Sequence, residues 1–311
     1  MIFSLTMNPS LDRFLYVDEL KSDDTIRVKK VNDYPAGKGI DVSRVIEELG
    51  GETAAISILG GEAGEQILYM LQDEGVITIP VWIKTETRTN VMIETKSEQF
   101  RMSLPTYEIK GEDIEMIKEI VEKFVKKDTS IVISGSLPNG LKSSFYSNII
   151  SDLKKDHIKV YFDADGEKLR EGLKSKPHCI KPNLHEFERL IDKKLLSKTQ
   201  IIDEGIKARK NFDLGILLIS LGSEGALAFS EDGVYECKPL EIEVDSSVGS
   251  GDSFLAAFVY YKEQLNLSTE ESLRAANAAG AATAMTPGTE LLHKKDFLAL
   301  YKKSIVEKVN L

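Results

Sequence analysis

Apolar positions along the chain fall into two rhythms. Short, nearly continuous apolar runs at 1–7, 54–59, 130–134, 160–163, 179–181 and 215–220 read as buried strands. Between them, apolar residues recur at helical spacing: Val42, Val45, Ile46 and Leu49 mark an amphipathic helix closed by Gly50-Gly51. Further helices are expected at 65–72, 114–126, 145–154, near Lys168, at 201–209, and late in the chain at about 253–265 and 269–286. Strands alternating with helices predict an α/β fold, a mainly parallel sheet covered on both faces. Two pieces, about 13–34 and 82–104, fit that core poorly. They alternate loosely (Phe14, Tyr16, Ile26, Val28; Val91, Ile93, Phe100, Met102) and carry Arg27, Lys29, Lys30, Arg88 and Arg101. They read as one small β-sheet standing off the core as a lid, within a single domain spanning 1–311.

The rest is organised around Asp245-Ser246-Ser247-Val248-Gly249-Ser250-Gly251-Asp252-Ser253-Phe254. A strand-like run ends near Val244, glycines bracket Ser250, and an apolar helical pattern begins at Phe254. Gly249 and Gly251 allow a tight turn that brings bare amides close to a ligand. At a helix start those amides lack internal partners and the dipole favours an anion. Asp252 then puts a carboxylate beside a pocket for negative charge, as phosphoryl transfer requires: a base for the attacking hydroxyl and donors for the charge that develops. The bland alternative is an Asp-capped helix after a Gly-rich loop.

Four predicted strand ends carry polar groups that a packed core would not choose: Asn8 to Asp12, Ser134 to Pro138, Lys181 to Glu186, and Ser220 to Gly225. In an open parallel sheet all of them face one crevice, together with Gly249–Asp252. Gly37-Lys38-Gly39 is no Walker A loop, since it lacks the upstream glycine and the Ser/Thr.

Charge narrows the partners. With 40 Lys and Arg against 50 Asp and Glu, a net charge of −10 argues against nucleic acid or an anionic membrane and leaves room for a small anionic substrate held by a local basic patch. Cys179 and Cys237 form no metal or disulfide framework, and His157, His178, His185 and His293 have no metal spacing. The first residues are strand-like, with no signal segment, so a cytoplasmic location is expected.

Pro35-Ala36-Gly37-Lys38-Gly39-Ile40-Asp41-Val42 resembles the first glycine signature of the ribokinase-like PfkB carbohydrate kinases. Val248-Gly249-Ser250-Gly251-Asp252-Ser253-Phe254 resembles the second, and Asn183-Leu184-His185-Glu186 between them resembles the family's N-x-x-E magnesium motif. The resemblance covers nearly the whole chain and implies a ribokinase-like fold using ATP and Mg2+. It implies that Asp252 is the base and that the amides of Gly249 to Asp252 hold the phosphoryl in transfer. Asp12, Gly37, Gly39 and Asp41 would bind sugar hydroxyls, and Asn183 and Glu186 would order magnesium largely through water. Lys181, Ser220, Gly222 and Gly225 would line the ATP phosphates and ribose, with Asn277 and Gly280 flanking the adenine. It also implies a homodimer through the lid.

Asn8 to Asp12, Thr87-Arg88-Thr89-Asn90-Val91 and Ser134 to Pro138 resemble the phosphosugar branch, which comprises phosphofructokinases, 1-phosphofructokinase and tagatose-6-phosphate kinase. A phosphorylated acceptor suits the cations Arg27, Lys38, Arg88 and Arg101, with Asn90 and Ser136 beside them. The branch signals diverge: 99–105 resembles the minor 6-phosphofructokinase, whereas Lys38 is closer to the other two. Ala36 stands where glycine is usual, Asp41 where asparagine is, and Ser246 where ribokinase-like members carry the Asp of a monovalent-cation site. The expected reaction is ATP-dependent phosphorylation of a ketohexose phosphate, foremost fructose 6-phosphate at O1; the alternatives are a tagatose-6-phosphate kinase, a 1-phosphofructokinase, or a kinase for an unphosphorylated sugar or nucleoside, with a non-catalytic sugar-phosphate sensor as the rival from another class.

Overall fold

The computed structural model describes residues 1–310. The chain enters through β1 (Ile2–Thr6), crosses β2 (Ser10–Tyr16) and β3 (Lys30–Ala36), and turns at Gly37 into α1 (Lys38–Leu49). Then follow β4 (Thr53–Leu59), α2 (Gly61–Asp73), β5 (Ile77–Trp82), β6 (Arg88–Glu94), β7 (Gln99–Met102) and α3 (Gly111–Phe124). Alternation continues through β8 (Ser130–Ser134), α4 (Ser144–Lys155), β9 (Lys159–Asp163), α5 (Glu167–Leu173), β10 (Cys179–Ile180), α6 (Leu184–Ile191), α7 (Lys198–Asn211) and β11 (Ile216–Ser220). The last part holds the hairpin β12 (Ala226–Ser230) and β13 (Gly233–Cys237), then α8 (Ser250–Val259), a π turn at Tyr260–Gln264, α9 (Thr269–Ala284), α10 (Lys294–Lys303) and β14 (Val306–Lys308).

The large sheet runs β5-β4-β1-β8-β9-β10-β11-β12-β13-β14. Every neighbouring pair from β5 to β11 is parallel, and the remaining three pairs are antiparallel. Its strands are apolar throughout because both faces are covered. Phe3, Leu5, Ile131, Ile133, Val160 and Phe162 point into one core under α3, α4 and α7. Their neighbours Ile2, Val132 and Tyr161 point into the other, with the apolar faces of α1, α8, α9 and α10. The strand order reverses at β1, whose partners are β4 on one side and β8 on the other. A ligand crevice is expected outside the carboxyl ends of those strands.

A second, four-stranded sheet has the order β3-β2-β6-β7. It joins the two basic pieces of chain through the parallel pairing of β2 with β6.

Several sequence expectations need correction. Trp82, placed in the lid, ends β5 of the large sheet, because its run pairs along β4 from Ala54 to Leu59. Residues 17–29 form no strand, and neither does the run up to Val244. Helix α8 begins at Ser250 rather than beyond it, so the glycine turn is its first turn. The hairpin β12–β13, α6, α10 and β14 were not anticipated.

Candidate active site

The crevice at the β1–β8 reversal is a cleft of about 520 Å³. Its floor is the strand ends, with Thr6 and Asn8 after β1 and Ser134, Gly135 and Ser136 after β8. One wall is Gly37, Lys38 and Asp41 at the start of α1, with Val248, Gly249 and Asp252 at the start of α8. The small sheet supplies the other, through Ser10, Asp12, Arg88, Asn90 and Arg101. Among the described residues, five buried polar atoms on this lining have no hydrogen-bond partner: Thr6 Oγ1, Asp41 Oδ1, Arg88 Nε, Ser134 Oγ and Thr289 Oγ1. Leaving a buried polar atom unpaired costs about 1–3 kcal/mol, so this wall suits a ligand rich in oxygen.

The glycine turns place the two helix starts. Gly249 caps α8 in the left-handed region (φ 75°), and a Cβ there would sit 2.5 Å from Leu291 Cδ2. Ser250 and Gly251 occupy the first turn, where a helix offers no carbonyl to their amides. The cradle is smaller than the sequence implied, because the Asp252 amide donates to the Gly249 carbonyl at 3.1 Å. The Ser250 hydroxyl is buried and unpartnered. Gly39 lies beneath the cleft wall: a Cβ there would stand 2.5 Å from Thr6 Oγ1 and 2.8 Å from the Leu5 carbonyl. Gly39→Ala is therefore expected to push α1 off β1 and cost about 1–3 kcal/mol of stability, read as a lowered melting midpoint.

Asp252 is only 8% exposed. Burial pushes its carboxyl up to about 6, with Lys38 and Lys181 pulling the other way and Asp163 adding to the rise. Asp163, at the end of β9, is the residue sequence reasoning missed. Its Oδ2 takes Lys38 Nζ at 3.1 Å and lies 3.5 Å from Lys181 Nζ. Burial works against its ionisation, yet Lys181 and then Lys38 hold it below the ordinary carboxylate range. Lys181 also borders the cradle, 3.4 Å from where a Gly251 Cβ would be. Two ammonium groups thus flank the amide turn, one from each glycine-bearing half of the chain. A carboxylate ending a buried strand was a legible signal, since the other strand ends carried polar groups too.

On the small-sheet wall, Asp12 accepts from Ser10 Oγ at 2.8 Å and Asn90 Nδ2 at 2.9 Å. Burial still leaves its carboxyl raised, although those bonds and the Arg88 charge oppose it. Asp41 is raised well above its ordinary value by burial and by Asp252, with Arg44 opposing. Ser136 Oγ accepts from Asn8 Nδ2 at 2.9 Å. Arg88 makes no ion pair among the described residues; its Nη2 reaches only the Asn8 carbonyl at 3.5 Å. Burial lowers its pKa, with the Asp12 charge as partial compensation. Arg101 lies on exposed β7, its Nε bonded to Gln99 at 2.7 Å. Arg27 is exposed between β2 and β3 and is not among the lining residues.

The nucleotide-side expectations divide. Asn183 and Glu186 form a capping box at α6: Asn183 Oδ1 accepts from the Glu186 amide at 2.9 Å, and Glu186 Oε2 accepts from the Asn183 amide at 2.8 Å. Ser220 neighbours them through a β-bridge to Asn183. Gly222 (φ 61°) stands in open space, whereas Gly225 presses on the Cys237 carbonyl and serves the hairpin. Asn277 is buried, its Nδ2 donating to the Lys238 carbonyl at 3.0 Å and Ser304 Oγ at 3.2 Å. Gly280 lets α9 approach α8, since a Cβ would lie 3.2 Å from the Ser250 carbonyl. None of Asn183, Glu186, Ser220, Gly222, Gly225, Asn277 or Gly280 lines the cleft described above.

A doubly covered sheet with a carboxylate, a helix-start anion cradle and paired lysines at its switch point defines a group-transfer enzyme. Residues 2–295 match the pfkB family of carbohydrate kinases. The chain is 32% identical over 290 residues to a 1-phosphofructokinase of Borreliella burgdorferi, covering 92% of each. It is 32% identical over 309 residues to a tagatose-6-phosphate kinase of Staphylococcus epidermidis, covering 97% of this chain and 98% of the relative. It superposes on phosphofructokinase-2 of Escherichia coli, solved in complex with substrates and products, with a TM-score of 0.92, 30% identity, and 97% and 98% of the two chains covered. The chain belongs to the pfkB carbohydrate kinases; it is a phosphotransferase acting on a hydroxyl group, with ATP as the donor that membership implies.

Proposed function

We propose that this enzyme phosphorylates a ketohexose phosphate, with fructose 6-phosphate at O1, giving fructose 1,6-bisphosphate, as the leading acceptor. The acceptor hydroxyl gives its proton to Asp252 as its oxygen bonds to the γ-phosphorus of ATP. The bond from that phosphorus to the β-bridging oxygen breaks, and ADP leaves. The amides of Ser250 and Gly251, with Lys38 and Lys181, take the charge in flight. Asp12 and Asp41 accept from sugar hydroxyls. The half-buried Arg88 guanidinium carries the reading: it lines the cleft, makes no ion pair among the described residues and has only the Asp12 charge in partial compensation, so it is free to take the anion that a sugar phosphate brings.

Mg2+ fits in one form only. No group of three His, Cys, Asp or Glu that could hold a metal exists among the described residues. Asn183 and Glu186 spend their capping oxygens on α6, leaving Glu186 Oε1 to face a hydrated ion. Mg2+ keeps several waters and is usually shared with substrate phosphates, so this donor set suits it. When bound, it would neutralise charge on the ATP phosphates. We also place a homodimer contact on the small sheet, where Val31 and Met102 are exposed with Val28 and Leu104 in the adjoining segments; a monomer mass in solution would remove it.

The test is ADP release over fructose 6-phosphate, tagatose 6-phosphate, fructose 1-phosphate and unphosphorylated fructose. The phosphorylated acceptors are expected to turn over and free fructose to lag. Arg88→Ala is expected to raise KM for phosphorylated acceptors about 10- to 100-fold while leaving free fructose unchanged. Equal losses on both would defeat the phosphate assignment. Binding of sugar phosphate without ADP release from any acceptor would instead favour a sensor.

A further inference from the structure

Arg44 is charged and only 7% exposed, yet it does not line the cleft. Its Nε and Nη2 engage both oxygens of Glu74, just beyond α2, at 2.6 and 2.9 Å. Its Nη1 donates to two carbonyls from distant parts of the chain, Pro35 at 3.2 Å and Thr289 at 3.1 Å, and lies 3.7 Å from Asp41 Oδ1. Those three residues come from three separate segments, of which Asp41 and Thr289 line the cleft. Pro35 lies near the end of β3, which leads into the Gly37 turn, Asp41 faces the cleft from α1, and Thr289 sits in the turn after α9.

That turn is clamped from other directions too. Gly288 has φ 60° and leaves no room for a side chain, because a Cβ would stand 2.8 Å from the Phe14 ring of β2. The Gly288 carbonyl accepts from Ser246 Oγ at 3.2 Å. Within this fixed turn Thr289 is 2% exposed and lines the cleft, and its hydroxyl has no partner. Asp41 Oδ1, 3.7 Å from the same guanidinium, has no hydrogen-bond partner either. A planar fork that makes four hydrogen bonds to fixed acceptors is a rigid spacer, which a flexible ammonium could not be.

We infer that Thr289 is a further acceptor-binding residue, hydrogen-bonding a sugar hydroxyl beside the one read by Asp41, and that Arg44 is the positioning residue that sets both. This deepens the sugar-phosphate kinase reading and rests on it. The ligand hydroxyl supplies the partner that Thr289 and Asp41 lack, while the guanidinium behind them stays out of contact with the ligand.

Steady-state kinetics of Thr289→Val, Thr289→Ser and Arg44→Lys, with ATP and the sugar phosphate varied separately, test this. Thr289→Val keeps shape and loses the hydroxyl; acceptor KM is expected to rise about tenfold with ATP KM within twofold. Thr289→Ser should return acceptor KM to within about threefold of wild type. Arg44→Lys keeps the charge and loses the fork, and should raise acceptor KM at least tenfold with ATP KM again unmoved. A merely structural role would lower the melting midpoint or the active fraction and leave both KM values in place. Acceptor KM within twofold of wild type in Thr289→Val, or a serine variant no better than the valine one, overturns the inference even if Arg44→Lys does not fold. A wild type that releases no ADP with any acceptor overturns the kinase reading and this inference together. A wild type that turns over beside an unaffected Thr289→Val overturns this inference alone.

Discussion

Asp252→Asn is expected to lower kcat by about 10²–10⁴-fold while ATP affinity stays within a few-fold. The amide is nearly the same size, so the first turn of α8 and its cradle survive, and only the ability to take a proton is lost. ATP would meet the same amides and the same two lysines. Equilibrium binding of ATP alongside single-turnover chemistry separates the two effects. Turnover near wild type would remove Asp252 from the mechanism. The wild-type pH profile gives the same residue a second signature. A base must be ionised to act, and burial pushes the Asp252 carboxyl up to about 6. Hence kcat/KM should be flat well above pH 6 and fall about tenfold per unit below it. In Asp252→Asn that limb should vanish from whatever activity remains.

Lys38→Met should cost about 10²-fold in kcat/KM at pH 8, comparable to the loss of one preorganised donor from a transition-state charge site. The same substitution should shift the acid limb. After burial, the Lys38 charge is the largest influence on Asp252, and it lowers the pKa. Without it the carboxyl holds its proton to higher pH, so the limb must move upward. Removal of Lys38 also strips Asp163 of one of its two cations, leaving Lys181 as its remaining close partner. A Lys38→Arg variant, which keeps the charge in a different shape, should leave the limb near its wild-type position even if the rate falls. A limb that stays put in Lys38→Met would show that this charge does not reach Asp252.

Much of the architecture was legible because burial on both faces leaves a plain mark. Runs such as 130–134 and 160–163 are apolar at consecutive positions, and their chain spacing leaves room for the helical crossover that parallel strands need. The hairpin β12–β13 also carries a local signal, since Asp232-Gly233 is a turn signal between apolar runs. The period in α10, Phe297 then Leu300 and Tyr301, was likewise present and unread. The strand assigned up to Val244 failed for a different reason: local apolar character does not say whether a neighbour is there to pair with it.

The sequence by itself determined the two glycine turns, the carboxylate at 252, and the polar strand ends, because backbone conformation at a tight turn and the absence of a side chain are local properties. Only the tertiary structure decided that Asp163 sits between Lys38 and Lys181, one from α1 and the other from beyond β10. It alone set Arg44 against the Thr289 carbonyl, 245 residues away. Those are distances between residues far apart in sequence. They are fixed by how the sheet stacks its helices, and no pattern of neighbours along the chain encodes them.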